Sequence, residues 1–243
     1  TTMINSIDFI TMASDGDATD FGDMSQGAFS CQPVNDNTRG VYIGGTNVYN
    51  SVSGTFNNIE YITIQSTGNS QDFGDMSQKT AAGCGFSSPT RGITAGGWQP
   101  SPANSRLNNI QYITISTLGQ TADFGDLVQA AAFTCCNTAS NAIRGLITCN
   151  NTAEGTYKNV IQFVTTATLG NAADFGDLVR NSEWVCGMAS PTRGVFHNPG
   201  GNTNDDHMDY VQIMTKGDAT DFGNLTQDLA RTSAGSNGHG GLA

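Results

Sequence analysis

Lysine is nearly missing from this 243-residue sequence: Lys79, Lys158 and Lys216 are the only ones, and 10 basic side chains face 21 acidic ones for a formal net charge of −11. An acidic surface repels phosphate, which argues against nucleic acid and against anionic membranes as partners. No run of 18 or more apolar residues occurs, so no membrane-inserted helix is expected. The opening residues Thr1-Thr2-Met3-Ile4-Asn5 lack a basic stretch followed by an apolar one, so no signal peptide is expected at that end, although processing can remove one. Histidine is scarce too, with only His197, His207 and His239, and no Gly-x-Ser-x-Gly occurs. No nucleophile stands beside a base, so the expectation is a chain that is not an enzyme and carries no cofactor.

What the chain has in abundance is glycine, 30 residues, and repetition. The segment Asp-Phe-Gly-Asp (once ending in Asn) occurs five times, with its phenylalanines at Phe21, Phe73, Phe124, Phe175 and Phe222. Fixed periods near fifty residues point to propellers or solenoids. Four strand-like pieces fit in each period. The first is an alternating β-branched and aromatic run such as Ile59-Glu60-Tyr61-Ile62-Thr63. A Gly-polar pair follows, Gly16-Asp17 or Gly68-Asn69 for example, and reads as a type II′ hairpin turn. After the Asp-Phe-Gly-Asp strand come a run of small residues and an Arg-Gly strand such as Thr38-Arg39-Gly40-Val41-Tyr42-Ile43-Gly44-Gly45. Four antiparallel strands in fifty residues make one propeller blade, with the small-residue strand nearest the axis. The fold class expected is therefore all-β, one domain over residues 1–243: a five-bladed β-propeller of four-stranded antiparallel blades. The chain opens with two strand types and closes with the other two (229–236 and 239–243), so both ends share one blade and remove exposed edges.

The Arg-Gly-Val-x-x-Gly-Gly run followed by an aromatic strand resembles the kelch type of propeller repeat, although the kelch tryptophan is replaced by the Phe of Asp-Phe-Gly-Asp. The fuller pattern, Ile-x-Tyr-Ile-Thr-Ile through Asp-Phe-Gly-Asp-Leu, is similar to repeats in virion proteins of marine and cyanobacterial phages, in tail-fibre-like or decorating positions. The resemblance covers nearly the whole chain and implies a structural role in a virion, with no catalytic residue. Five-bladed sugar-binding lectins have a similar size, but no lectin motif matches.

The repeated residues have structural readings. Asp-Phe-Gly also holds magnesium in protein kinases, but here it occurs without a Gly-rich loop, strand lysine or His-Arg-Asp loop. Each Phe is expected to pack between blades. Arg39, Arg91, Arg144 and Arg193 are expected to pair with the recurring Asp through bidentate contacts, the rival being a cationic ring at the channel mouth. Cys31, Cys84, Cys135 or Cys136, and Cys186 read as equivalent positions, with Ser233 in the fifth and Cys149 outside the set. Thiols so related point the same way around an axis and cannot pair as disulfides. Asp15, Asp17, Asp20 and Asp23 could pass for a calcium loop, but turn chemistry accounts for them better. His197 and His207, with Asp205 and Asp206 between, are the one set of ligand types suited to a divalent metal, against the plainer reading of a solvated loop.

Repeats differ most in the connection between the Arg-Gly strand and the aromatic strand, on the rim where a rigid scaffold mounts recognition. These loops hold Tyr49, Phe56, Trp98 and Tyr157 among amides and hydroxyls, which suit sugars or proteins or else pin the loops down. Two functions follow as expectations: a non-enzymatic structural or attachment module of a virus particle, or a soluble lectin-like binding propeller. Partners would be other virion proteins or host-surface glycans and proteins, and the location virion or extracellular.

Overall fold

The computed structural model describes residues 3–48, 54–100, 105–132, 139–152, 157–201, 204–230 and 232–235. Among them there is no helix; all regular structure is antiparallel sheet. An N-terminal hairpin, β1 (Ser6–Phe9) and β2 (Thr19–Asp23), comes first. Four meanders follow. The first sheet is β3 (Gln32–Asn35), β4 (Arg39–Ile43), β5 (Asn58–Thr63) and β6 (Gln71–Asp75). The second is β7 (Cys84–Ser87), β8 (Arg91–Ala95), β10 (Ser105–Thr114) and β11 (Ala122–Ala132), with β9 (Trp98–Gln99) paired on the rim. The third is β12 (Ala139–Ser140), β13 (Arg144–Thr152), β14 (Tyr157–Thr165) and β15 (Ala173–Ser182), joined to the second where the end of β11 pairs with β13 at Ala131–Thr152 and Ala132–Asn151. The fourth is β16 (Cys186–Ala189), β17 (Arg193–His197), β18 (Asp205–Gln212) and β19 (Thr220–Leu229). First strands adjoin in succession, β3 with β7, β7 with β12 and β12 with β16, so the sheets stand side by side in a β-propeller-like array.

The Asp-Phe-Gly-Asp strand is the outer strand of every sheet, and the hairpin repeats the outer pair alone. Each outer ladder carries the same bulge: Ile59 pairs with Gly74 but Glu60 with Asp72, leaving Phe73 as the extra residue. The bulged ring turns inward. Phe21, Phe73, Phe124 and Phe175 are buried and meet the aromatic residue of the neighbouring strand edge to face, as Tyr61 meets Phe73 at 6.0 Å between centroids. Burying such a ring removes large apolar area from water, and the T-shaped pair adds to it.

The arginines do not pair with the Asp-Phe-Gly-Asp carboxylates. Arg39, Arg91, Arg144 and Arg193 each lie over the aromatic ring of the third strand, with Cζ 4.6 to 4.9 Å from its centroid. Three of them also donate from Nη1 across to the next sheet: Arg39 to the Ile115 carbonyl, Arg91 to Thr166 and Arg144 to Ile213. A planar guanidinium can stack and donate in its plane at once, which the expected carboxylate pair would have prevented. The glycine after each arginine has its own reason. A Cβ on Gly92, Gly145 or Gly194 would strike Val34, Phe86 or Ala139 of the preceding sheet's first strand.

Strand reversal also differs from expectation. The corner is an i→i+3 turn directly after the aromatic strand, closed by Ser66 N–H to Thr63 O and its equivalents. Gly68, Gly119, Gly170 and Gly217 lie two residues beyond that turn and face the preceding sheet. Their N–H groups donate to the carbonyls of Phe21, Phe73, Phe124 and Phe175. The amides two residues on, of Ser70, Thr121, Ala172 and Ala219, donate to Asp23, Asp75, Asp126 and Asp177. Every seam thus covers the edge of an outer strand, the place where stray pairing would otherwise occur.

Candidate functional site

The connections between second and third strands and the links leaving each outer strand share one rim. In the first two sheets a Gly-Gly pair ends the second strand. Gly44 and Gly45 adopt φ of +59° and +107°, and Gly96 and Gly97 adopt +63° and +113°, in the left-handed region that glycine tolerates. Gly45 N–H donates to Thr80 O, Phe56 N–H to Gly45 O, and Thr80 N–H to Phe56 O, which knits the loop to the outgoing link. Thr46 and Trp98, directly after the two Gly-Gly pairs, form antiparallel bridges with Phe29 and Ala81 of the preceding links.

The aromatic residues proposed for recognition separate on this rim. Trp98 is 8% exposed and bridged to Ala81, so it pins its loop and offers no platform to solvent. Phe56 is half-buried, with both backbone groups bonded. Tyr157 is half-buried beside Glu183, whose charge, followed by burial and their hydrogen bond, raises the phenol above its usual range. Tyr49 lies outside the described residues.

Near Tyr157 the rim carries charge. Arg180 Nη1 meets Asp205 Oδ2 at 2.6 Å, both partly exposed. Burial works to raise the Asp205 carboxyl, but the amides of His207 and Asp206 and the Arg180 guanidinium together hold it below the ordinary range. Of these groups Tyr157, Arg180 and Asp205 reach solvent and can engage hydroxyls and amides, while Glu183 is buried. Arg180, Asp205 and Glu183 have no equivalents in the other repeats, and the lack of a repeating pattern hid them in the sequence.

Neither histidine lies in a solvated loop. His197 is 2% exposed, its Nε2 3.0 Å from the Asp205 carbonyl and its Nδ1 2.7 Å from Thr232 Oγ1. The carbonyl can only accept, so Nε2 carries the proton and Thr232 donates to Nδ1. With Cys186 Sγ 3.0 Å from the same hydroxyl, this contact anchors the closing segment to β16 and β17. His207 Nε2 donates to the fully buried Asp209, which also accepts from Asn198 and Val179. Among the described residues no group of three or more His, Cys, Asp or Glu side chains is placed to hold a metal ion.

The cysteine equivalence slips by one residue. Cys84 opposes Ala95 and Cys186 opposes His197, but the same place opposite Ile43 holds Gln32, with Cys31 one residue earlier. Since strands alternate faces, Cys31 does not share the setting of the other two. Cys135 and Cys136 lie outside the described residues, as does His239.

No family model matches the sequence, and no curated protein matches it. Among solved structures, one titled "Structure of YjhT" is similar over 97% of this chain and 88% of that one, with a TM-score of 0.75 at 9% identity. At that identity the likeness speaks for the fold alone.

Proposed function

We propose that this chain is a five-bladed propeller whose two ends share a blade, and that it serves as a non-enzymatic structural or attachment module of a virus particle. The observation that carries this reading is a division of labour. The contacts between sheets repeat with the same residue types from seam to seam, while the rim connections differ in length and chemistry. Such a scaffold spends its regularity on rigidity and leaves one face to vary, as recognition surfaces do. The likeness of the repeat to phage virion proteins supplies the setting. The test is to purify particles from the source virus and probe them by mass spectrometry and immunogold labelling. Stoichiometric, surface-accessible protein is expected; particles devoid of it would reject the role.

A soluble lectin-like module is the second reading, supported by the partly exposed Tyr157, Arg180 and Asp205 on the rim. A glycan array should then give a signal that Tyr157→Ala with Arg180→Ala abolishes. Silence across the array would remove this reading.

A further inference from the structure

One seam differs from all the others. The faces of the fourth sheet and of the N-terminal hairpin that should meet carry matching halves of every seam contact, and none of those contacts is made. At the four formed seams, a Cβ on Gly22, Gly74, Gly125 or Gly176 would lie 2.2 to 2.4 Å from the carbonyl oxygen of the next sheet's turn glycine. Around Gly223 of β19, by contrast, there is nothing within 4 Å. Phe222 is 46% exposed, whereas Phe21, Phe73, Phe124 and Phe175 lie between 2% and 7%. On the hairpin Ile10 and Met12 are 64% and 75% exposed.

Three further contacts recur at the formed seams. The polar residue in the third strand accepts the backbone N–H that follows the preceding outer strand: Glu60 from Ser25, Gln111 from Ser77, Gln162 from Val128 and Asp209 from Val179. Arginine reaches the next sheet's carbonyl, as described above. The polar residue after the recurring Gly also accepts the N–H of the residue that follows the outer strand's glycine: Asn69 from Asp23, Asn171 from Asp126 and Asp218 from Asp177. By repeat position, the unmade set is Asp8 with the Thr226 N–H, Arg193 with the Met12 carbonyl, and Asp17 with the Asn224 N–H.

Charge supports the match. Three of the formed seams set an aspartate on the outer strand against an amide in the turn: Asp23 with Asn69, Asp75 with Gln120, Asp126 with Asn171. The hairpin carries aspartate instead, Asp17, and β19 is the one outer strand whose motif closes in asparagine, Asn224, where the others have aspartate. The acid and the amide have exchanged sides together, so this pair again sets one carboxylate against one amide, whereas the fourth formed seam sets Asp177 against Asp218.

We propose that the outer edge of β19 is the docking site for the Gly16–Ala18 turn of the same chain's N-terminal hairpin. This inference rests on the five-bladed reading and names the contacts that complete the ring. Gly16 N–H would donate to Phe222 O and Ala18 N–H to Asn224 O, with Asp17 accepting from Asn224 N–H. The occupant is the chain's own hairpin because β2 is already docked on the first sheet, which holds the turn at high effective concentration beside the opposite face.

Amide hydrogen exchange by NMR on the full chain, with mass followed by light scattering, tests this. A monomer is expected in which Gly16 and Ala18 exchange as slowly as Gly68 and Ser70. Asp17→Ala should then speed exchange at Asn224 about fivefold to tenfold, the effect of one hydrogen bond, and leave Asp126 unchanged. Protection appearing only in oligomers, and growing with concentration, would overturn the proposal and make a second copy the occupant. Should a monomer fit a closed five-blade ring by small-angle scattering while Gly16 and Ala18 exchange freely, five blades would stand and this docking would fall.

Discussion

Each arginine of the repeat is held by a ring below and a carbonyl beside it, and both contacts need a planar fork. Arg91→Lys keeps the charge but loses the stacked plane and the in-plane donation to Thr166 O. A loss of about 1–2 kcal/mol in urea unfolding is expected, nearly as much as for Arg91→Ala. Phe124→Ala empties a site 2% exposed and should cost about 3–5 kcal/mol by the same measurement. At the fourth seam the Asp177 carboxyl is raised by burial, then by Asp218 and Asp174. Its folded-state pKa therefore lies above the unfolded value, and the ionised form costs the fold stability as pH rises through that range. Asp218→Asn retains the acceptor for the Asp177 amide, as Asn171 does for Asp126. At neutral pH it should raise the melting temperature slightly, by less than the equivalent of about 1 kcal/mol. The gain should vanish once the pH falls below the ordinary Asp value of 3.8, where both states are protonated.

Strands were legible in the sequence because their period-two pattern and β-branched content are local. So was the recurrence of Asp-Phe-Gly-Asp. What the sequence does not carry is the neighbour. Gly68 resembles a hairpin corner until the preceding sheet is seen to receive its N–H. Arg39 beside so many aspartates suggests an ion pair until Tyr61 fills that space. Trp98 looks like a platform because its bridge to Ala81 comes from another repeat. The glycine of each outer strand shows how strict this between-sheet packing is. Gly125 has φ of +147°, and a Cβ there would sit 2.4 Å from Gly170 O. Gly125→Ala should therefore cost more than about 2 kcal/mol through strain and seam opening together. The midpoint of denaturant unfolding would report it, with Gly235→Ala, in open space, as the neutral control.

At the scale of the whole molecule, the charge of −11 falls largely on aspartates of the outer strands and turns, Asp72, Asp75, Asp123, Asp126, Asp174 and Asp177 among them. Like charges around a periphery repel, and salt screens them over about 10 Å at 0.1 M. The melting temperature should rise between low and moderate sodium chloride, whereas a surface ruled by ion pairs would show a fall. Most contacts join distant parts of the chain, so folding should take milliseconds to seconds, as stopped-flow fluorescence can record.

The way each seam covers an outer strand also bears on ancestry. Every repeat brings one raw edge and one turn able to shield the edge of its predecessor. Tandem duplication or loss of a whole unit therefore leaves the tally of edges and shields balanced, whereas a breakpoint inside a unit does not.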